Sequence, residues 1–201
     1  MIHTFLFDMG NVLVHFCHER MCRQLAELCG TEALQMRSYL FDEGVLADFE
    51  CGRLSEAQLH RLLEQRSGRS LVLDELIAAG SDIFTLNDSI VPLLDSLKSA
   101  GYRLVLLSNT SISHLQWVQR QWDVLGRFDE LVTSYATGAT KPHTAIYEAA
   151  LRAARCAPAE CFYTDDIPAY VEAARGLGID AEVYTDTPTL REHLQQRGID
   201  M

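Results

Sequence analysis

No apolar run in the chain reaches the ~18 residues that a membrane-crossing helix needs. The opening stretch MIHTFLFDMGNVLV is apolar but broken by Asp8, and it carries neither a basic leader nor a cleavage site. No secretory signal is read there, and a cytoplasmic protein with no membrane partner is expected. Basic residues are scarce: 17 Lys and Arg stand against 28 Asp and Glu, a formal net charge of -11. No window gathers the cations into a stripe that could track a phosphate backbone, which argues against nucleic acid as a partner. The cysteines Cys17, Cys22, Cys29, Cys51, Cys156 and Cys161 form no C-x-x-C pair and neighbour no suitable histidine cluster. They read as reduced, mostly buried thiols. Repeats, low-complexity tracts and Pro/Gly/Ser-rich linkers are missing too.

What is present fits one medium domain, or a core carrying a small insert: 201 residues, 48% apolar and 22% charged. Residues 2–7 and 102–107 are short apolar runs with β-branched and aromatic members, each followed by polar turn residues, and they read as buried strands. Residues 130–133, 161–164 and 181–184 read as three more. Between them lie helical patterns at 142–155, opened by Pro142, and at 167–177, closed by glycines. This alternation predicts an α/β fold, a doubly wound, Rossmann-like parallel sheet. The pattern breaks between residues 16 and 86, which read as helical throughout, with candidates at 18–29, 32–41, 55–65 and 73–79. The expected organisation is therefore a core of residues 1–15 and 87–201 with a helical subdomain inserted at 16–86.

Open parallel sheets bind ligands beyond the carboxyl ends of their strands. The polar residues expected there are Asp8, Ser108, Asn109, Asp165 and Asp166, joined by Lys141 from the loop before Pro142. Such a set suits phosphoryl transfer. A carboxylate nucleophile can form an aspartyl phosphate, splitting ester hydrolysis into two easier steps. Its attack on an anion needs neutralisation, which Mg²⁺ on Asp8 and the Asp165-Asp166 pair would supply, helped by Lys141. Ser108 and nearby backbone N–H groups would hydrogen-bond the phosphoryl oxygens.

These residues fall in four short motifs in order: FDMGNVLV, LLSNT, TKP and YTDDIP. They resemble the four motifs of the haloacid dehalogenase-like superfamily, and the insert lies where that family carries its C1 cap. The resemblance spans essentially the whole chain. It implies Asp8 as nucleophile and Mg²⁺ ligand, the Gly10 carbonyl as a second ligand, and Asp166 as a third, with Asp165 supporting Lys141 or bound water. Ser108 and Asn109 would bind phosphate, and Lys141 would stabilise both nucleophile and phosphate. The expected substrate is a small phosphomonoester, a sugar phosphate among the candidates.

One departure stands out. Phosphatases of this family usually read Asp-x-Asp, the second aspartate serving as general acid and base; here that position is Gly10. A D-x-G-N first motif nevertheless resembles a subgroup similar to sugar-1-phosphate phosphatases. His15 and His18 follow the motif and are alternative proton donors. Tyr170 stands where relatives often carry asparagine, and His143-Thr144 follows Lys-Pro where an acidic residue and proline are frequent. Residues 41–54 are expected as a loop facing the site, with Asp48, Glu50 and Arg53 as candidate specificity residues, while Trp117 and Trp122 read as packing residues. Two rival readings are a metal-free 2-haloacid dehalogenase and a phosphate-binding regulatory protein without useful turnover.

Overall fold

The computed structural model describes residues 1–199. Seven strands occur among them: β1 Thr4–Phe7, β2 Val14–Phe16, β3 Phe84–Leu86, β4 Arg103–Ser108, β5 Glu130–Thr133, β6 Cys161–Asp165 and β7 Asp180–Val183. Five form one parallel sheet in the order β5-β4-β1-β6-β7. The chain runs outward from β1 on one side and then crosses back to the other, so the topological switch point lies beside β1. Phe7 is in register with Leu106 on one flank and Thr164 on the other. The three strand ends that carry Asp8, Ser108 and Asp165 therefore open onto one crevice.

These strands read as continuous apolar runs because both faces of the sheet are covered. Alternation sends Phe5, Phe7, Leu104, Leu106 and Phe162 to one apolar cluster. It sends Leu6, Val105, Leu107, Cys161 and Tyr163 to the other, against Ile146, Tyr147 and Ala150 of the Thr144–Ala154 helix and Val171 and Ala174 of the Pro168–Arg175 helix. Each such buried side chain contributes roughly 1.5–3 kcal/mol by leaving water. The expected Rossmann-like α/β core is what is found, with strand limits within one or two residues of the sequence reading. Trp117 and Trp122 pack partly buried against the first cluster.

Most of the stretch from 18 to 81 is helical. His18–Cys29 turns Met21, Cys22, Leu25, Ala26 and Cys29 inward and ends at Gly30, whose φ of 65° suits glycine. Glu56–Ser67 starts with a capping box between Ser55 and Gln58, and Leu73–Ser81 follows. Three expectations need correction. Residues 16–86 are not helical throughout, because Phe16 and Phe84–Leu86 belong to an antiparallel two-stranded ribbon, β2 with β3, in which Phe16 is the partner of Phe84. Three-residue strands are too short for an alternation signal. The single helix expected over 32–41 is a short α-helix, Ala33–Arg37, continued by a wider π-type turn, Ser38–Asp42. Finally, residues 41–54 are not all loop: Val45–Glu50 is a helix burying Val45, Leu46 and Phe49, launched from Gly44 at φ 79°.

No helix among the described residues is long and apolar enough to cross a membrane. All six cysteines are free, Cys17 exposed, Cys156 half-buried and the others buried.

Candidate active site

Strand β1 is wholly buried, and Asp8 follows it immediately at the bottom of the crevice, 7% exposed. Lys141 comes in from the loop before Pro142 and is 3% exposed. Its ammonium lies 2.8 Å from Asp8 Oδ1 and 2.6 Å from Asp165 Oδ2, and it donates to the Leu107 carbonyl at 3.1 Å. All three of its N–H groups thus have partners, so contact with a phosphoryl oxygen requires one to be given up.

Electrostatics follow from burial. Desolvation raises the Asp8 carboxyl from the ordinary 3.8 to about 7, Lys141 opposing the rise and Asp165 adding to it. For Lys141 burial works against the charge, but the two carboxylates outweigh it and its pKa is raised.

Asp165 is fully buried and accepts three hydrogen bonds. Its Oδ2 accepts from Lys141 Nζ and from the Tyr163 hydroxyl, while Oδ1 accepts from the Ile167 backbone N–H at 2.8 Å. It holds the lysine and fixes the turn into the Pro168 helix. Asp166 is half-buried and faces the cavity, accepting from Asn11 Nδ2 at 2.9 Å. Oxygens of Asp8, Asp165 and Asp166 all lie within 4.8 Å of one another. Asp8, Asp166 and the Gly10 backbone carbonyl are the hard-oxygen donors most open to a cation such as Mg²⁺, with Asp165 in the same cluster. The donor set fits: three carboxylates against one ammonium leave negative charge in excess, which a divalent cation would offset.

Ser108 is buried at the end of β4, and its hydroxyl has no hydrogen-bond partner among the described residues. The Asn109 side chain clamps Lys141. Its Oδ1 accepts from the Lys141 N–H at 2.7 Å and its Nδ2 donates to the Lys141 carbonyl at 3.1 Å. Tyr170 sits alongside, its hydroxyl 3.4 Å from Asn109 Nδ2 and its ring 5.1 Å from Lys141 Nζ.

A cavity of about 220 Å³ opens over these groups. Phe16, His18, Glu50, Ile83 and Phe84 close it from the other side. His15 is exposed on β2 and does not line it, whereas His18 does, packed at a tilt between Phe16 and Phe41 with its pKa lowered by burial and by Arg37. Asp48 and Arg53 bond each other at 2.6 Å and lie outside, leaving Glu50 as the only one of the three in the cavity wall. Burial and the nearby Asp8 raise the Glu50 carboxyl from 4.5 to about 7. A larger cavity, about 420 Å³, lies within the 29–67 stretch, but its cation Arg66 is bound to Glu43 and stacked on Tyr39.

Two contributors escaped sequence reasoning. Asn11 has φ 53°, a left-handed position asparagine tolerates, and its place in FDMGNV was a usable signal. Phe16 was not signalled, because its role depends on how the ribbon folds back over Gly10.

Comparison with known proteins agrees with this geometry. D-ribitol-5-phosphate phosphatase of Bacteroides thetaiotaomicron is 25% identical over 188 residues, 90% of either chain. Glyceraldehyde 3-phosphate phosphatase of Methanothermobacter thermautotrophicus is 32% identical over 120 residues, 54% of this chain and 49% of that one. Among solved structures, a HAD family enzyme from Bacteroides thetaiotaomicron in complex with magnesium and inorganic phosphate superimposes with a TM-score of 0.85 at 24% identity, covering 94% of this chain and 99% of that one. At that identity the likeness concerns the fold. The family model for haloacid dehalogenase-like hydrolases matches residues 2–178, and the chain belongs to that family.

Proposed function

We propose that the protein is a Mg²⁺-dependent phosphatase that hydrolyses a small phosphomonoester, a sugar or polyol phosphate, through a covalent aspartyl phosphate on Asp8. The observation that carries this reading is the buried Lys141 between Asp8 and Asp165, with Asp166 beside them in one small cavity. Lys141 holds Asp8 Oδ1, and Oδ2 is the oxygen that would attack phosphorus. Ser108 offers an unengaged hydroxyl to the phosphoryl oxygens, and the Asn109 clamp fixes the lysine's backbone. Asp8, Asp166 and the Gly10 carbonyl would hold Mg²⁺, which when bound neutralises charge on the phosphoryl group and favours the ionised nucleophile. At about 220 Å³ the cavity is below the range for drug-sized ligands and suits a phosphoryl group on a short polar chain. The named activities of the two phosphatase relatives support that substrate class. In this reading residues 16–86 act as the cap that closes the site, with Glu50 and His18 facing the substrate.

The test is phosphate release from an aryl phosphate and a panel including ribitol 5-phosphate and glyceraldehyde 3-phosphate, with and without Mg²⁺. Release that requires Mg²⁺ and disappears in Asp8→Asn is the expected result, together with covalent phosphate trapped on Asp8. Metal-independent halide release from 2-haloacids would replace this reading with the dehalogenase one. Phosphate binding without turnover would replace it with the regulatory one.

A further inference from the structure

The cavity holds a carboxyl that the mechanism so far leaves without work. Of the three carboxyl groups in its wall, Asp8 is bonded to Lys141 and Asp166 to Asn11, whereas the Glu50 side chain has no hydrogen-bond partner among the described residues. The position next to the nucleophile that would carry a proton donor is closed off. A Cβ on Gly10 would lie 2.8 Å from Phe16 Cε1 and 3.3 Å from Cδ1, and that ring is packed against His18 and Phe84. The ribbon therefore fills the space beside Gly10 with an aromatic ring, and the helix Val45–Glu50 brings a carboxyl to the same cavity from above.

Glu50 is also held firmly. Its carbonyl accepts from the Ser134 hydroxyl of the core, Cys51 Sγ bonds the Gly138 carbonyl at 3.2 Å, and Gly52 at φ 71° lies so close to the Tyr135 carbonyl that a Cβ would be 2.4 Å from its oxygen. Three successive residues thus pin the end of this helix to the 134–138 segment. The other titratable groups lining the cavity are less suited. His18 is lowered by burial and by Arg37. His114 is buried, lowered to about 4 and tied to the Gly80 carbonyl at 3.1 Å.

We propose that Glu50 is the catalytic acid and base of this enzyme, the role that Gly10 cannot perform. The inference rests on the phosphatase reading. In the first step Asp8 Oδ2 forms a bond to phosphorus, the bond from phosphorus to the ester oxygen breaks, and the Glu50 carboxyl gives its proton to the departing alkoxide, releasing the alcohol. In the second step water attacks the phosphorus, the bond to Asp8 breaks, and the Glu50 carboxylate takes the water proton. Inorganic phosphate leaves, Asp8 is again a carboxylate and Glu50 again an acid. The raised Glu50 pKa supports this, because a carboxyl near neutrality exchanges protons efficiently in both directions.

The experiment compares wild type, Asp8→Asn, Glu50→Gln and Glu50→Asp on phosphate esters with graded leaving groups, from a nitrophenol to a sugar alcohol. Gln keeps the size of Glu and breaks no hydrogen bond, so the variant should fold, with a thermal midpoint at or above that of wild type. In Glu50→Gln, turnover of the sugar phosphate should fall by about 10²- to 10⁴-fold. On the nitrophenyl ester it should give a rapid burst of nitrophenol equal to the enzyme present, followed by slow turnover and accumulated phosphoenzyme. Glu50→Asp should recover part of the rate. Turnover unchanged in Glu50→Gln, a rise in KM alone, or an equal loss on every leaving group without a burst would each overturn the proposal while wild-type activity upholds the phosphatase reading. Wild type inert on every ester would bring down that reading and this inference with it.

Discussion

A lysine whose three protons all point at oxygen acceptors is a fixed positive charge in a dry site, and its value lies in what its loss would expose. Lys141→Ala leaves Asp8 and Asp165 facing each other without compensation and should cost about 3–5 kcal/mol. A urea midpoint unchanged in that variant would contradict the buried geometry. Asp8 works in the opposite direction in the metal-free protein. Its folded pKa, about 7, lies above the unfolded value near 3.8, so between those pH values the folded chain keeps a proton that the unfolded chain gives up. Stability from this group is intact below pH 3.8 and is lost as pH rises towards 7. Asp8→Asn removes that loss, so the metal-free variant should gain about 1–3 kcal/mol over wild type above pH 7, with the difference shrinking to nothing near pH 4. Denaturant titrations of both proteins across that range measure it, and a variant no more stable at pH 8 would show the Lys141 pair outweighing burial. Added Mg²⁺ should raise the wild-type midpoint in the same experiment and leave the variant's nearly unchanged.

At the scale of elements, the turn after the Val45–Glu50 helix is the most constrained piece of backbone around the cavity. Gly52→Ala adds a Cβ at φ 71° and 2.4 Å from the Tyr135 carbonyl oxygen, so both the left-handed backbone and the overlap count against it. We expect a loss of about 2–4 kcal/mol in denaturant stability together with a marked fall in activity, because Glu50 is two residues away. Gly68→Ala is the control: φ is 66° but nothing lies within 4 Å, and it should cost only about 1 kcal/mol. Such contacts mark the limit of what the sequence discloses. The five core strands were legible because a strand buried on both faces is a continuous apolar run, Asp8, Ser108 and Asp166 because polar residues stand where those runs stop, and Lys141 from the TKP motif before a helix. Phe16 and the short ribbon were not, and Glu50 was only one of three candidates in its segment. Glu50 looked no different from Asp48 or Arg53 in the same segment, and only the packing of a six-residue helix onto 134–138 turns one inward and leaves the others in solvent.

For the whole molecule, one apolar cluster runs without a break from Phe5 and Phe7 of the sheet to Leu25, Leu63 and Leu76 of the helical stretch. His114 of the core adds a bond to the Gly80 carbonyl. Unfolding should therefore be a single cooperative transition, with tryptophan fluorescence, reporting Trp117 and Trp122, and helix content by circular dichroism giving one midpoint. Two separated transitions would show that the helical stretch melts on its own. In the native protein a thiol reagent should label Cys17 quickly and Cys156 slowly, and the remaining four only with unfolding.

The β2–β3 ribbon has a further consequence. Because Phe16 and Phe84 are paired neighbours, the chain leaves the core and rejoins it at one point, so residues 17–83 form a loop whose two ends are fixed side by side. Closing such a loop costs an entropy that grows only with the logarithm of its length. The parts of this module remote from Glu50 and its contacts with 134–138 can thus change in length without disturbing Asp8, Lys141 or Asp166. The cavity is thus walled from two parts, Asp8, Lys141 and Asp166 at the sheet and Glu50 on the inserted stretch, joined by a pair of three-residue strands.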